Sequence, residues 1–331
     1  MKIFNTKRIL RFFLISGVLF FAVSFTLIFL PVPQKQNIKN YDNSSLSRVK
    51  EQPVRGEEKW LTLRDNSKIF YRNYRSGSGT ILLLIHGSGS EGRYLDDLAS
   101  FISVSGLATV ITPDLRGHGR SALRKGDIDY IGQLEEDIDD IIIQLRKENP
   151  SSQIVLGGHS SGGGLVLKYA GCTEMARPDG YLMFAPYLTY KAPTVRPDKG
   201  NWVTVSVRRW VGLSMINSVG ISYFNYLPVL FFNRPDEWTD SLQADSYSYR
   251  MAVSMENETY ENCIRSIDKP AIVLAGDKDE SFIAGKYAEV FKPAEKYSTI
   301  TVIPGAKHLD IFYKQETRKQ ITEWFQKNFK Q

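Results

Sequence analysis

A chain of 331 residues can bury a sizeable core, and 42% hydrophobic with 24% charged residues exclude wholesale disorder, collagen and coiled coil. Two cysteines exclude a disulfide scaffold and a dense thiolate metal site. The net charge of +6 belongs to residues 1–40, which hold six basic and no acidic residues; the remainder carries 36 of each sign, so nothing points to nucleic acid.

The first predicted element is a membrane segment. From Phe12 to Leu30 run 19 residues without a charge, spanning about 28 Å as a helix, close to the thickness of bilayer hydrocarbon. Arg11 stands at its edge, and Pro31 and Pro33 end it. A cleaved signal peptide is the alternative, but its apolar stretch is usually shorter, and the small-x-small pattern Ala22-Val23-Ser24 lies six positions before the run ends. Lys2, Lys7, Arg8 and Arg11 predict a cytoplasmic N-terminus, which puts the rest of the chain outside the cytoplasm. The expected organisation is a cytoplasmic segment (1–11), an anchor (12–30), a polar stalk (31–58) and a folded domain (59–331) with an insertion over about 187–268.

After the stalk, Lys59–Leu63 and Lys68–Tyr74 read as a hairpin around Asp65-Asn66. Ile81–Ile85 is a strand ending in His86-Gly87-Ser88-Gly89, followed by a helix over Tyr94–Val104. Ala108–Ile111 is a strand ending at Pro113-Asp114. Tyr130–Arg146 has helical spacing through Ile131, Leu134, Ile138, Ile141, Ile142 and Leu145. Ile154–Leu156 and Gly180–Phe184 read as strands flanking a helix through Leu165 and Tyr169. After the interruption come a strand at Ala271–Ala275, a helix at Lys286–Phe291, a strand at Thr299–Ile303 and a helix at Gln315–Phe329. Alternating strands and helices predict an α/β fold, a mostly parallel sheet with helices on both faces, whose ligands bind beyond the carboxyl ends of the strands.

Four segments at those ends carry chemistry. Gly158-His159-Ser160-Ser161-Gly162 is G-x-S-x-G between a strand and a helix; such a turn lifts the serine hydroxyl above the sheet, and crowding demands glycine at Gly158 and Gly162. A Gly-rich turn or phosphate loop is the plainer alternative. A hydroxyl needs a base, and the base needs an anion to orient it. His308 follows the last strand, and Asp279 follows the strand before it. Asp277 competes, but Asp279 lies farther along its loop. The four histidines, His86, His118, His159 and His308, all lie at strand ends, and only His308 follows the acid. Acyl transfer also needs two backbone N–H groups at the developing oxyanion; Ser88 and Ser161 are the candidates, in loops shaped by Gly87 and Gly89.

Ile85-His86-Gly87, Pro113-Asp114-Leu115-Arg116-Gly117-His118-Gly119-Arg120-Ser121, the Gly158–Gly162 turn, Gly276-x-x-Asp279 and Gly305-x-x-His308 resemble together the α/β-hydrolase superfamily, most of all its monoglyceride-lipase, lysophospholipase and serine-aminopeptidase-like branch. The resemblance implies the α/β-hydrolase fold with a cap insertion, and a Ser160–His308–Asp279 triad working without metal or cofactor. The chain departs from monoglyceride lipases at Ser90-Glu91-Gly92-Arg93, where they usually carry a histidine or acidic pair.

The insertion holds Trp202, Trp210, Tyr223, Phe224, Tyr226, Phe231, Phe232 and Trp238, which suit either an acyl chain or the cap's own core. Val211–Phe232 is apolar, yet Asn217, Asn225 and Pro228 argue against a second span and leave an interfacial helix open. Cys172 and Cys263 would pair only if the fold brings them together. The leading expectation is a membrane-anchored serine hydrolase acting on lipid-like carboxylic esters. A peptidase on the same triad, with the cap acids Asp236, Glu237 and Asp240 as candidates for holding an amine, and a non-catalytic binding protein are the alternatives.

Overall fold

The computed structural model describes residues 6–34, 55–197, 202–234 and 240–329. Most of the expected stalk therefore lies outside the described residues, as do Asp236, Glu237 and Trp238. The chain opens with helix α1 (Thr6–Phe29), long and apolar enough to cross a membrane. The body begins at Arg55, whose guanidinium reaches Asp96 at 2.9 Å. Strands β1 (Glu57–Thr62) and β2 (Lys68–Tyr74) form an antiparallel hairpin, with Asn66 at φ 65° in the turn. Then follow β3 (Thr80–Ile85), α2 (Asp96–Val104), β4 (Thr109–Pro113), α3 (Gln133–Glu148), β5 (Gln153–His159), α4 (Ser161–Ala170) and β6 (Gly180–Phe184).

The insertion starts beyond β6. It contains β7 (Val203–Val205), α5 (Val207–Asn217), β8 (Pro228–Phe232), β9 (Ser246–Ser248), α6 (Tyr249–Met255) and α7 (Tyr260–Arg265). The chain returns through β10 (Ala271–Gly276), α8 (Tyr287–Val290), β11 (Ser298–Ile303) and α9 (Gln315–Asn328). The eight-stranded main sheet runs β1-β2-β4-β3-β5-β6-β10-β11; the pairs β1–β2 and β2–β4 are antiparallel and the other five parallel. The cap carries its own antiparallel sheet, β7-β8-β9.

The pleat of the sheet divides the core in two. Along β3, Ile81, Leu83 and Ile85 face the layer holding Ile138, Ile142 and Leu165, while Leu82 and Leu84 face the layer holding Leu98, Ile102 and Phe325. A strand covered on both faces reads as a continuous apolar run, which is why β3 has no polar alternation.

Among the elements whose boundaries differ from expectation are two helices. The helix expected from Tyr130 starts at Gln133, because Gly132 sits at φ 102°, outside helical backbone, and leaves Ile131 exposed. The helix expected over Lys286–Phe291 is one α-turn between two 3₁₀ turns, Ala284–Lys286 and Lys292–Ala294. The apolar stretch Val211–Phe232 divides into most of α5, a connecting loop and β8. Cys172 and Cys263 are both free thiols.

Candidate active site

Ser160 stands between the last residue of β5 and the first of α4, at φ 55° and ψ −121°. For a residue with a Cβ this backbone costs on the order of 1–3 kcal/mol and persists only where the surroundings impose it. Here they do. The Ser160 amide donates to Phe184 O at 2.9 Å, and its carbonyl accepts from Gly164 N at 3.0 Å and Tyr187 N at 2.8 Å. A Cβ on Gly158 would fall 2.5 Å from the Gly162 carbonyl carbon, and one on Gly162 would fall 2.3 Å from His86 O. The two glycines let strand, turn and helix close on each other.

Asp279 and His308 stand on the loops after β10 and β11. Asp279 is 1% exposed; its Oδ1 accepts from Ser281 N at 2.8 Å and Phe282 N at 2.9 Å, and its Oδ2 lies 2.8 Å from His308 Nδ1. That contact assigns the proton to Nδ1 and leaves Nε2 without a partner among the described residues. Asp277 instead accepts from Gly305 N at 2.6 Å. The ring of His308 lies 4.6 Å from that of His159, the chain neighbour of Ser160.

Electrostatics separate the four histidines. Burial pulls His86 down, and pulls His118 and His159 far down, so all three imidazoles are neutral near pH 7. Burial acts on His308 in the same sense, but the charge and hydrogen bond of Asp279, with the charge of Glu280, outweigh it and leave His308 raised. His308 is thus suited to take a proton.

Two tyrosines that sequence reasoning missed set the loop after β3. Tyr94 Oη accepts from Gly87 N at 2.6 Å, and Tyr247 Oη accepts from Gly89 N at 2.7 Å. Ser88 N–H, between them, has no partner among the described residues. Ser161 N–H is in the first turn of α4, where helix amides lack intrahelical acceptors. Tyr94 also donates to His159 Nδ1 at 3.0 Å, and His159 Nε2 donates to His308 O at 3.1 Å, so one chain of hydrogen bonds joins the loops of Gly87 and His308. Tyr247 donates to His118 Nε2 at 2.5 Å. Beneath them Arg72, 2% exposed, pairs with Asp114 at 2.8 Å and Glu91 at 3.4 Å, and Asp114 also accepts from Gly92 N and Arg120 N. The Pro113–Ser121 motif is thus a structural brace.

The cap closes over this loop. Ala244 N donates to Gly89 O at 3.1 Å, and Phe232 packs on Tyr247 at 4.8 Å. Trp202 lies 6.4 Å from Phe232 and Trp210 5.6 Å from Tyr249, so these aromatics build the cap's own core. Asp240 is paired with Arg93 at 2.5 Å. Among the described residues, no group of three or more His, Cys, Asp or Glu is arranged to hold a metal ion.

Comparison with known proteins agrees with this frame. The model of the serine aminopeptidase S33 family matches residues 78–314. A non-heme haloperoxidase of Rhodococcus erythropolis is 25% identical over 260 residues, covering 75% of this chain and 92% of that protein. A soluble variant of the Saccharomyces cerevisiae monoglyceride lipase, solved with a substrate analogue, superposes with TM-score 0.63 at 17% identity, over 84% of this chain and 98% of that one. A bacterial membrane phospholipase A superposes with TM-score 0.56 at 18% identity, over 99% of both chains. At these identities the two superpositions show the fold.

Proposed function

The chain belongs to the serine aminopeptidase S33 family of α/β-hydrolases, and from that premise we propose a membrane-anchored serine hydrolase that cleaves carboxylic esters of lipid-like acyl compounds. The observation that carries the reading is the Asp279–His308 contact of 2.8 Å, with the His308 ring 4.6 Å from that of His159, the chain neighbour of the strained Ser160, and His308 the histidine whose proton affinity is raised.

Ser160 Oγ attacks the ester carbonyl carbon while His308 Nε2 takes its proton. The carbonyl oxygen becomes an oxyanion between Ser88 N–H and Ser161 N–H. His308 returns the proton to the departing alcohol, leaving an acyl group on Ser160. Water, deprotonated by His308, then releases the carboxylic acid and restores the hydroxyl. Asp279 orients the imidazole and stabilises its charged form. Lipid-like esters are supported by the monoglyceride lipase and membrane phospholipase A among the similar folds. Helix α1 as an uncleaved anchor is supported by its length and by the alignment with that membrane phospholipase, which includes it. With the basic residues before the apolar run held in the cytoplasm, the catalytic domain lies outside it. Of the acids that could hold the free amine of an aminopeptidase substrate, Asp240 is paired with Arg93, and Asp236 and Glu237 lie outside the described residues.

The test is hydrolysis of p-nitrophenyl esters of rising acyl length by the full chain in detergent, with Ser160→Ala beside it. Loss of the nucleophile should cut turnover at least about a thousandfold and abolish labelling by a fluorophosphonate. Near-normal hydrolysis by Ser160→Ala would sink the assignment.

A further inference from the structure

Helix α1 does not stand clear of the body. Ser24 and Ile28 are fully buried, whereas Phe12, Leu14, Val18 and Leu19 remain largely bare. Burial comes from cap helix α5. A Cβ on Gly212 would meet Ser24 O at 2.7 Å, so the two backbones touch. Arg209 Nε donates to Ile28 O at 2.9 Å, closing the C-terminal end of α1. Phe224, on the loop after α5, packs edge-on against Phe25 at 5.8 Å and Phe29 at 5.7 Å. The cluster continues outward through Tyr223, 5.1 Å from Phe224, to Tyr226, and both tyrosines are exposed.

The length of the helix then decides where the cap sits. The uncharged run Phe12–Leu30 is about 28 Å long, barely the thickness of bilayer hydrocarbon. One face of its stretch from Ser24 to Phe29, about 9 Å, is occupied by the cap, leaving roughly 18 Å of helix free on all sides from Phe12 to Val23. A free segment that short spans the bilayer only if the docked part is also below its surface. The shortfall of about 10 Å matches the depth of about 5–10 Å at which interfacial apolar faces lie.

We propose that the cap face around α5 is immersed in the outer leaflet of a phospholipid bilayer, with Tyr223 and Tyr226 at headgroup level, and that the site draws its acyl substrate from that leaflet. The inference rests on the anchor reading of α1 and adds to it a lipid-contact surface on the catalytic domain. Aromatic side chains with one polar end favour this depth, and Val219 extends the exposed apolar face between α5 and Tyr223. The docked helix makes the cap a fixed part of the membrane contact.

The full chain is reconstituted into phosphatidylcholine vesicles and washed with alkaline carbonate. Two esters are then supplied, a long-chain monoacylglycerol dissolved in the bilayer and water-soluble p-nitrophenyl butyrate. Tyr223→Asp/Tyr226→Asp should lower hydrolysis of the bilayer ester at least about tenfold and leave that of the soluble ester within about twofold, because charge is expelled from the interface. Equal rates to wild type on both esters, or parallel loss on both, would overturn the proposal. A Tyr223→Trp variant gives an independent reading, since lipids brominated near the headgroup should quench its added emission. Protein that stays on the vesicles with no such quenching refutes the immersed cap alone. Protein released by carbonate refutes the anchor, and the immersed cap with it. Ser160-dependent hydrolysis of the soluble ester reports the catalytic reading separately in every case.

Discussion

At the scale of single residues, the decisive contrast is between His308 and the other three histidines. Burial disfavours the charged form of all four, and only His308 has a buried carboxylate against its ring to reverse the effect. A general base must be unprotonated, so activity rises with pH as His308 loses its proton. Because Asp279 and Glu280 raise it, the acid limb of kcat/KM is expected above the ordinary imidazole value of about 6.5. Asp279→Asn should lower kcat by about 10³–10⁴-fold and move that limb downward, whereas Asp277→Asn, which keeps an oxygen to accept from Gly305 N and does not face His308, should leave the limb in place. A pH–rate profile of the three proteins decides it; an unmoved limb in Asp279→Asn would remove Asp279 from the proposed triad. The proposed triad of Ser160, Asp279 and His308 could be nominated from the sequence because each stands in a short motif at a strand end. Tyr94 and Tyr247 were not, because their hydroxyls reach Gly87 and Gly89 from 7 and 158 residues away and no local pattern marks them.

At the scale of elements, the turn from β5 to α4 is held by exclusion as much as by attraction. Gly162→Ala places a methyl group 2.3 Å from His86 O, a backbone atom that has nowhere to retreat. The expected cost is about 2 kcal/mol or more, seen as a lower urea midpoint together with lost turnover, since relief requires moving either Ser160 or the Gly87 loop. Gly77→Ala, with open space around it, should stay within about 0.5 kcal/mol of wild type. The strands of the main sheet were readable because a strand buried on both faces is a short apolar block, as in Thr80–Ile85 and Ala271–Gly276. The cap strands were not. Val203–Val205 and Ser246–Ser248 have three residues each, too few for their alternation of apolar and polar residues to stand out. Their pairing with β8 depends on the main domain, where Ser248 N donates to Gly126 O and Ala244 N to Gly89 O.

At the scale of the molecule, cap and main domain are joined by charge. Arg250, at the start of α6, grips Asp127 with contacts of 2.8 and 2.6 Å, and Arg93 pairs with Asp240. Burial raises Asp127, but hydrogen bonds from Arg250, Ser248 and Arg124 outweigh it and hold the carboxyl below its usual range. A carboxylate depressed by folding adds stability above its unfolded value, lost as pH falls through the folded one. The join therefore persists into more acidic solution than an unpaired aspartate would allow. Arg250→Met should lower unfolding stability by about 1–3 kcal/mol near neutral pH, and the deficit should shrink in acid as Asp127 protonates. A deficit independent of pH would assign the loss to packing instead.

The insertion also orders events in time. In the main sheet β6 pairs with β10, yet about 86 residues separate them in the chain. Closing so long a loop is slow compared with pairing β3 with β4 or β5 with β6, whose connections span only residues 86–108 and 160–179. Asp279 and His308 follow β10 and β11, so they join only after the cap has been made and folded back. A chain emerging from its N-terminus would set α1 and the Ser160 turn first and leave Ser160 without Asp279 and His308 until its last fifth arrived. The topology thus acts as a delay, keeping the proposed catalytic centre idle until the chain is nearly complete.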